Sequence, residues 1–282
     1  MLHFISFCDK IYNNIMLIFS WRSIMTNVKK NQRLKAILDY LIKNGGASVK
    51  EISEQMNVSE MTARRDLYLL RGQNLILYIS GVAIYNSNHL KPPVYQLTEE
   101  QSLNNEKKKR IGEKAASLIV PGDTVIIDVG STTEELACHF PDVSPCTVLC
   151  YNVNILNKLI DRPGLDLLFM GGTYHRDTQM FESPEGIHFV KRTRASKFFL
   201  SAAGVSDLLG ITCVNQYEIE AKQASMQVAQ QKILLVDSSK FDKVCPALVA
   251  QLSEINTVVT DDGIPDHWAG TLEYLGVKLL VC

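Results

Sequence analysis

The stretch DVGSTTEEL, Asp128 to Leu136, places a carboxylate, a glycine and three successive hydroxyl side chains just ahead of a helical run. Gly130, Ser131, Thr132 and Thr133 at such a start offer backbone N–H groups, hydroxyls and the positive end of a helix dipole. That chemistry suits a phosphate. Polar or glycine-rich turns recur at Tyr151-Asn152, at Gly171-Gly172-Thr173 and in DSSKF, which runs from Asp237 to Phe241 and contains Lys240. Each is weak alone. Together they suggest a small phosphorylated polyol, with Ser131, Thr132, Thr133 and Lys240 on its phosphate and Asp128, Asn152 and Asp237 on its hydroxyls. No GxGxxG fingerprint is present, so a dinucleotide is not expected, nor another cofactor.

A second set lies nearer the N-terminus, in NVSEMTARRDL (57–67). On a helix begun by Ser59, residues Ala63, Leu67 and Leu70 fall on one side. Met61, Arg64, Arg65 and Tyr68 fall within a broad arc on the other, and Asp66 sits toward the inner flank. A merely solvated face would mix Lys with Glu. Guanidinium groups instead bind phosphates or guanine edges in a bidentate way. Ser59, Met61, Thr62, Arg64, Arg65 and Tyr68 are therefore the residues expected to face double-stranded DNA.

The elements that must carry these sets follow from periodicity and caps. QRLKAILDYLIKNG (32–45) has Leu34, Ile37, Leu38, Leu41 and Ile42 at helical spacing and ends at Gly45-Gly46. In SVKEISEQMN, Ser48 and Glu51 form a capping box. Asn57-Val58 then makes a tight turn into the third helix, which gives a helix-turn-helix. LILYIS-G-VAIYN (75–86) reads as two strands about Gly81, a wing without Lys or Arg and so expected to be structural. Residues 87–101, polar and with two prolines, read as a linker into a helix over about 102–119. The basic run KKKR at 107–110 is expected to be a solvated helix face.

Beyond 120, seven apolar runs alternate with helical stretches: TVIID, TVLC, LDLLFM, KFFLSA, KILLVD, NTVVT and VKLLVC. Continuous rather than alternating apolar runs are what a parallel sheet covered on both faces requires. Such a sheet puts its ligand at the carboxyl ends of its strands. The expected organisation is an N-terminal extension (1–25), a winged helix-turn-helix domain (26–86), a linker (87–101) and a mainly parallel α/β domain (102–282).

Over 282 residues the formal net charge is only −1, but it is unevenly spread. Residues 26–71 hold nine Lys/Arg against five Asp/Glu, while residues 72–282 hold eighteen against twenty-four. A basic unit joined to an acidic one is a pointer to nucleic acid. Seven cysteines, odd in number and without CxxC pairs, suggest reduced thiols in a cytoplasmic chain, with no disulfide framework and no metal site. The first 24 residues are apolar but interrupted by Asp9, Lys10, Asn13 and Asn14, well short of the roughly 20-residue apolar run a spanning helix needs. They read as an upstream extension, with Met25 opening the functional chain.

VSEMTARRDL, then DVGSTT, FMGGTYH, GITC followed by Glu218 and Lys222, and VDSSKF together resemble the DeoR family of bacterial sugar-responsive repressors. The resemblance covers nearly everything from Met25 to Cys282; the wing departs from it, lacking the basic HGG segment of most relatives. It implies a cytoplasmic, homo-oligomeric repressor of a deoxyribose or deoxyribonucleoside catabolism operon. A phosphorylated sugar would release it from operator DNA, deoxyribose 5-phosphate being the expected one and a different sugar phosphate the alternative. The resemblance also implies that Glu218 and Lys222 join the ligand site. By spacing alone they would form an i,i+4 surface ion pair worth roughly 0.2–0.5 kcal/mol.

The family's large domain is similar to ribose-5-phosphate isomerase, which makes an isomerase the rival reading. That enzyme carries acids after its middle strand, where SAAGV (201–205) here has Ala203 and Gly204. General acid–base catalysis needs a titrating group within reach of the moving proton, so binding without catalysis is expected and no catalytic residue is assigned.

Overall fold

The computed structural model describes residues 29–72, 75–86, 95–207 and 209–282. The expected N-terminal extension and most of the expected linker lie outside them. The chain divides into two compact units, Met1–Leu90 and Lys91–Cys282. Among the described residues no helix is long and apolar enough to cross a membrane.

In the first unit a helix over 29–44 (α1) is followed by β1 (Ala47–Ser48), α2 (Val49–Gln55), α3 (Glu60–Gly72), β2 (Ile76–Ile79) and β3 (Val82–Tyr85). The Ser48 hydroxyl accepts from Glu51 N while the Glu51 carboxylate accepts from Ser48 N, closing the capping box at α2. Ile37 and Leu41 of α1, Ile52 of α2 and Ala63, Leu67 and Leu70 of α3 make one core with Ile76 and Ala83 of the wing. The wing turns through Ser80 and Gly81, both at positive φ (50° and 84°), as a two-residue hairpin loop requires. Its three strands lie in the order β1-β3-β2, all antiparallel.

The second unit opens with α4 (Leu97–Ser102) and α5 (Asn105–Ala116). The sequence reads as linker up to residue 101 and as a helix over about 102–119; instead a short helix occupies the end of that linker, and the chain breaks at Leu103-Asn104 before α5. Asn104 adopts φ 55°, a left-handed conformation that Asn tolerates better than most side chains. Then come β4 (Thr124–Ile127), α6 (Ser131–Cys138), β5 (Cys146–Cys150), α7 (Val153–Leu159), β6 (Leu165–Phe169), β7 (Thr173–His175), β8 (Met180–Glu182), α8 (Pro184–Arg192) and β9 (Ala195–Ser201). The unit ends with β10 (Gly204–Ser206), β11 (Gly210–Cys213), α9 (Ile219–Val228), β12 (Ala229–Leu235), β13 (Ala247–Ala250), β14 (Thr257–Thr260), α10 (His267–Tyr274) and β15 (Lys278–Val281).

The seven strands foreseen from the apolar runs form one sheet, ordered β15-β14-β12-β9-β4-β5-β6, with every neighbouring pair parallel. Both faces are covered. Val125, Ile127, Val148, Phe199 and Leu235 pack with Ile111 of α5, Leu136 of α6 and Ile155 of α7. Alternate residues Ile126, Leu149, Phe198 and Leu234 pack with Val190 of α8, Ala224 of α9 and Trp268 of α10. This double burial is why the strands read as unbroken apolar runs. Two small antiparallel sheets, β7-β8 and β10-β11-β13, were not legible in the sequence. Their strands are only three or four residues long, too short for alternation to stand out.

Candidate functional site

Two sets of side chains are presented, one on each unit. On the first, the Ser59 hydroxyl accepts from Thr62 N at 3.3 Å and lies 3.0 Å from the Thr62 hydroxyl, fixing the start of α3. Ala63, Leu67 and Leu70 are buried; Met61 (74% exposed), Arg64, Arg65 and Tyr68 (59%) project outward. Asp66 turns fully inward. Arg33 of α1 grips it with Nε 2.5 Å from Oδ2 and Nη2 3.2 Å from Oδ1, which locks α3 against α1. The Tyr68 ring packs edge-on against Tyr78 of the wing, centroids 5.5 Å apart, so this wing braces the outward face. The two arginines differ. Arg64 is held 3.4 Å from Glu60, whereas Arg65 has no ion pair among the described residues.

On the second unit, the strand order reverses between β4 and β9, the place where an open parallel sheet leaves a crevice. A cleft lies there. It is lined by Gly130, Ser131 and Thr132 after β4, by Ser201, Ala202 and Ala203 at the end of β9, and by Cys213 and Val214 after β11. Glu218 and Lys222 at the start of α9, Lys240 after β12, and Tyr95 and Glu100 around α4 complete it. Gly130 sits at φ 153°, and a Cβ there would come within 3.0 Å of the Ser201 side chain. The loop thus needs glycine to turn into α6. No side chain caps α6, so its first N–H groups remain for a ligand.

At the floor, Lys222 is completely buried. Its Nζ lies 2.5 Å from Asp128 Oδ2 and 3.4 Å from Glu218 Oε2. Tyr151 OH donates to Asp128 Oδ1 at 2.5 Å, and Ser201 N donates to Oδ2 at 2.8 Å. Burial works against the charge on Lys222; Asp128, then Glu218, outweigh it and hold the ammonium charged well above the usual lysine range. Burial pushes the Glu218 carboxyl up, against the pull of Lys222. It also raises Tyr151 and the Cys213 thiol, with Asp128 and Glu218 respectively adding to the effect, so both stay neutral.

Of the residues expected around a phosphorylated polyol, Gly130, Ser131, Thr132, Glu218, Lys222 and Lys240 meet in this cleft. Others stand behind it or away from it. Asp128 spends both oxygens on protein donors, and the Thr133 hydroxyl donates to Gly130 O. Asn152 is buried against Asn154. Asp237 takes Ser239 N and Asn104 Nδ2 on one oxygen and leaves the other without a partner among the described residues. Gly171 and Gly172 open the β7-β8 hairpin, exposed, where a Cβ on Gly172 would lie 2.2 Å from Glu182 O.

Two readings of charge are corrected. Glu218–Lys222 is not a surface pair; both members are buried under the cleft. The KKKR run is not simply solvated either. Lys107 holds Asp261 at 2.8 Å, Arg110 holds Asp262 at 3.1 Å, and Lys108 is buried with Nζ on Glu100 O. Tyr95 and Glu100 were missed because they fall in a stretch that reads as linker. Ser201 was within reach of the strand-end argument, as the last residue of β9.

A winged helix-turn-helix in one chain with a cleft-bearing doubly wound unit defines a ligand-responsive transcriptional regulator. Residues 33–89 match the DeoR-like helix-turn-helix domain, and residues 103–262 match the DeoR C terminal sensor domain. The HTH-type transcriptional repressor GlcR of Bacillus subtilis (strain 168) is 32% identical over 89% of this chain and 96% of its own. The lactose phosphotransferase system repressor of Lactococcus lactis subsp. lactis is 34% identical over 85% and 94%. The deoxyribose operon repressor of Escherichia coli (strain K12) is 29% identical over 89% and 98%. Among solved structures, ribose 5-phosphate isomerase from Plasmodium falciparum aligns over 48% of this chain and 52% of its own, at 12% identity and a TM-score of 0.35, too loosely to bear on function. The chain belongs to the DeoR family. It is a sugar-responsive transcriptional repressor.

Proposed function

We propose that the chain represses a deoxyribose or deoxyribonucleoside catabolism operon and that deoxyribose 5-phosphate, bound in the α/β cleft, releases it from operator DNA. The phosphate rests on the N–H groups and hydroxyls of Ser131 and Thr132 and on Lys240; Glu218 and Lys222 take sugar hydroxyls. Asp128, Thr133, Asn152 and Asp237 shape these groups from behind. Met61, Arg64, Arg65 and Tyr68 meet the duplex, set by the Ser59–Thr62 cap. The assembly is a cytoplasmic homo-oligomer, since paired modules read paired half-sites.

One observation carries the reading: a helix start with no side-chain cap and a lysine line the same cleft, and the residues at the end of β9, Ala202 and Ala203, bring no acid to it. The site is furnished to hold an anion. The choice of sugar rests on the segments CYNVNIL and FMGGTYHRDTQMFESPEGIHF, and relatives of similar identity are named for other systems.

A thermal-shift panel tests it, because a ligand that binds only the folded chain raises its melting temperature. Deoxyribose 5-phosphate is expected to raise it more than ribose 5-phosphate or glucose 6-phosphate and to release a labelled operator duplex at the same concentrations. A larger shift with another sugar phosphate reassigns the effector; no shift with any of them removes the cleft reading.

A further inference from the structure

The cleft holds a carboxylate of its own beside the phosphate loop. Glu100 of α4 lies 2.7 Å from Lys240 Nζ and 3.6 Å from the buried Lys108 Nζ, which also donates to the Glu100 carbonyl. Lys240 and Glu100 are each mostly buried, 15% and 23% exposed, and both line the space in front of Ser131 and Thr132. The cleft's other cation, Lys222, is already matched by Asp128 and Glu218. Among the described residues an incoming phosphate dianion therefore meets no uncommitted lysine. It must either share Lys240 with a carboxylate, placing like charges together in a poorly hydrated space, or take that carboxylate's place.

We propose that Glu100 is a built-in competitor of the effector's phosphate: its carboxylate holds Lys240 until phosphate replaces it, and the replacement loosens α4. This rests on the cleft being the sugar-phosphate site. The consequence for α4 follows from how the helix is tied down. Leu97 N donates to Asp177 O at 2.8 Å, and Gln101 Nε2 donates to Glu134 at 2.6 Å. Leu97 is also buried; the remaining polar ties among the described residues, from Lys240 and Lys108, both end on Glu100. Exchange of carboxylate for phosphate at Lys240 removes one and draws Lys108 toward the newcomer. Glu100 thereby sets the effector concentration at which the unit responds.

The full chain is titrated calorimetrically with deoxyribose 5-phosphate, with inorganic phosphate and with 2-deoxyribose, as wild type and as Glu100→Gln. The variant keeps the size of the side chain and drops its charge. It is expected to bind both phosphates about fivefold or more tighter, with no gain for the uncharged sugar. Amide hydrogen exchange over Leu97–Ser102 in the wild type, which needs no variant, is expected to speed up when deoxyribose 5-phosphate is added. Equal or weaker phosphate binding by Glu100→Gln, or slower exchange in α4, overturns the competitor role and leaves the cleft as a ligand site. Absence of binding by the wild type and the variant alike sinks the cleft reading, and the competitor with it.

Discussion

The outward face of α3 and the floor of the cleft both gather cations, and they treat them oppositely. Arg65 stands in solvent without an ion pair among the described residues, and Arg64 is only loosely held by Glu60. Lys222 is walled in by two carboxylates, and Lys240 by a third. An exposed guanidinium keeps its hydration and gives it up cheaply to any polyanion, so it supplies affinity that falls with salt. A buried ammonium survives only with a partner. A ligand can reach it only by exchange, so it discriminates by charge and shape. On the function proposed above, one chain uses the same charge for a diffuse partner and for a selective one.

Breaking the buried arrangement should have the largest effect. Lys222→Met leaves Asp128 and Glu218 facing each other without a cation, and loss of one member of a buried pair costs about 3–5 kcal/mol. Urea unfolding of the full chain should show this loss in the transition of the α/β unit; an unchanged midpoint would mean the two carboxylates are satisfied without Lys222. The exposed side is sharpened by separating the two arginines. Arg65→Ala should weaken operator binding by about 1–3 kcal/mol if it reads a base, or flatten the salt slope by about one if it holds a phosphate. Arg64→Ala should do less of either, because Glu60 already draws on its charge; the reverse ranking would discard the pairing argument.

A smaller and purely local change is expected of Thr132→Ala. Loss of one hydroxyl hydrogen bond of about 0.5–1.5 kcal/mol should raise the sugar-phosphate concentration for release several-fold and leave operator affinity untouched. Full inducibility at wild-type concentrations would remove Thr132 from the ligand set. The smallest effect concerns acid. Burial tends to raise the Asp123 carboxyl, but Lys197, Val120 N and the Ser196 hydroxyl overcome it and hold it below the usual range. A depressed carboxyl stabilises the fold above its unfolded value, about pH 4. That stabilisation is lost as pH falls through the lowered folded value. Asp123→Asn should therefore lower stability most above about pH 4, where the carboxylate's contribution is present in full, and flatten the acid limb below it; unchanged stability near neutrality would contradict the sign.

What the sequence makes legible is what its local chemistry decides. The Ser48–Glu51 box, the outward arc of α3 and the seven covered strands each follow from spacing within a few residues, and each is present. The cleft is legible in halves. Gly130 to Thr132 and Lys240 could be picked out because strand ends in a parallel sheet point one way. Asp128 could be noticed but not placed, since its partners Tyr151, Ser201 and Lys222 lie 23, 73 and 94 residues away. Glu100 could not be found at all. It belongs to a six-residue helix cut off by Asn104, in polar sequence whose value comes only from what it leans on.

Gly112 of α5 has no space for even one carbon: a Cβ there would sit 2.5 Å from the backbone of Glu135 in α6. Two helices touching main chain to main chain have no side-chain cushion between them, so they behave as a single stiff beam. Compliance is left to the joint on either side, and toward the N-terminus that joint is one asparagine turned left-handed. A methyl group added at Gly112 would prise the beam apart at Glu135 and Leu136, within the helix that Gly130 begins.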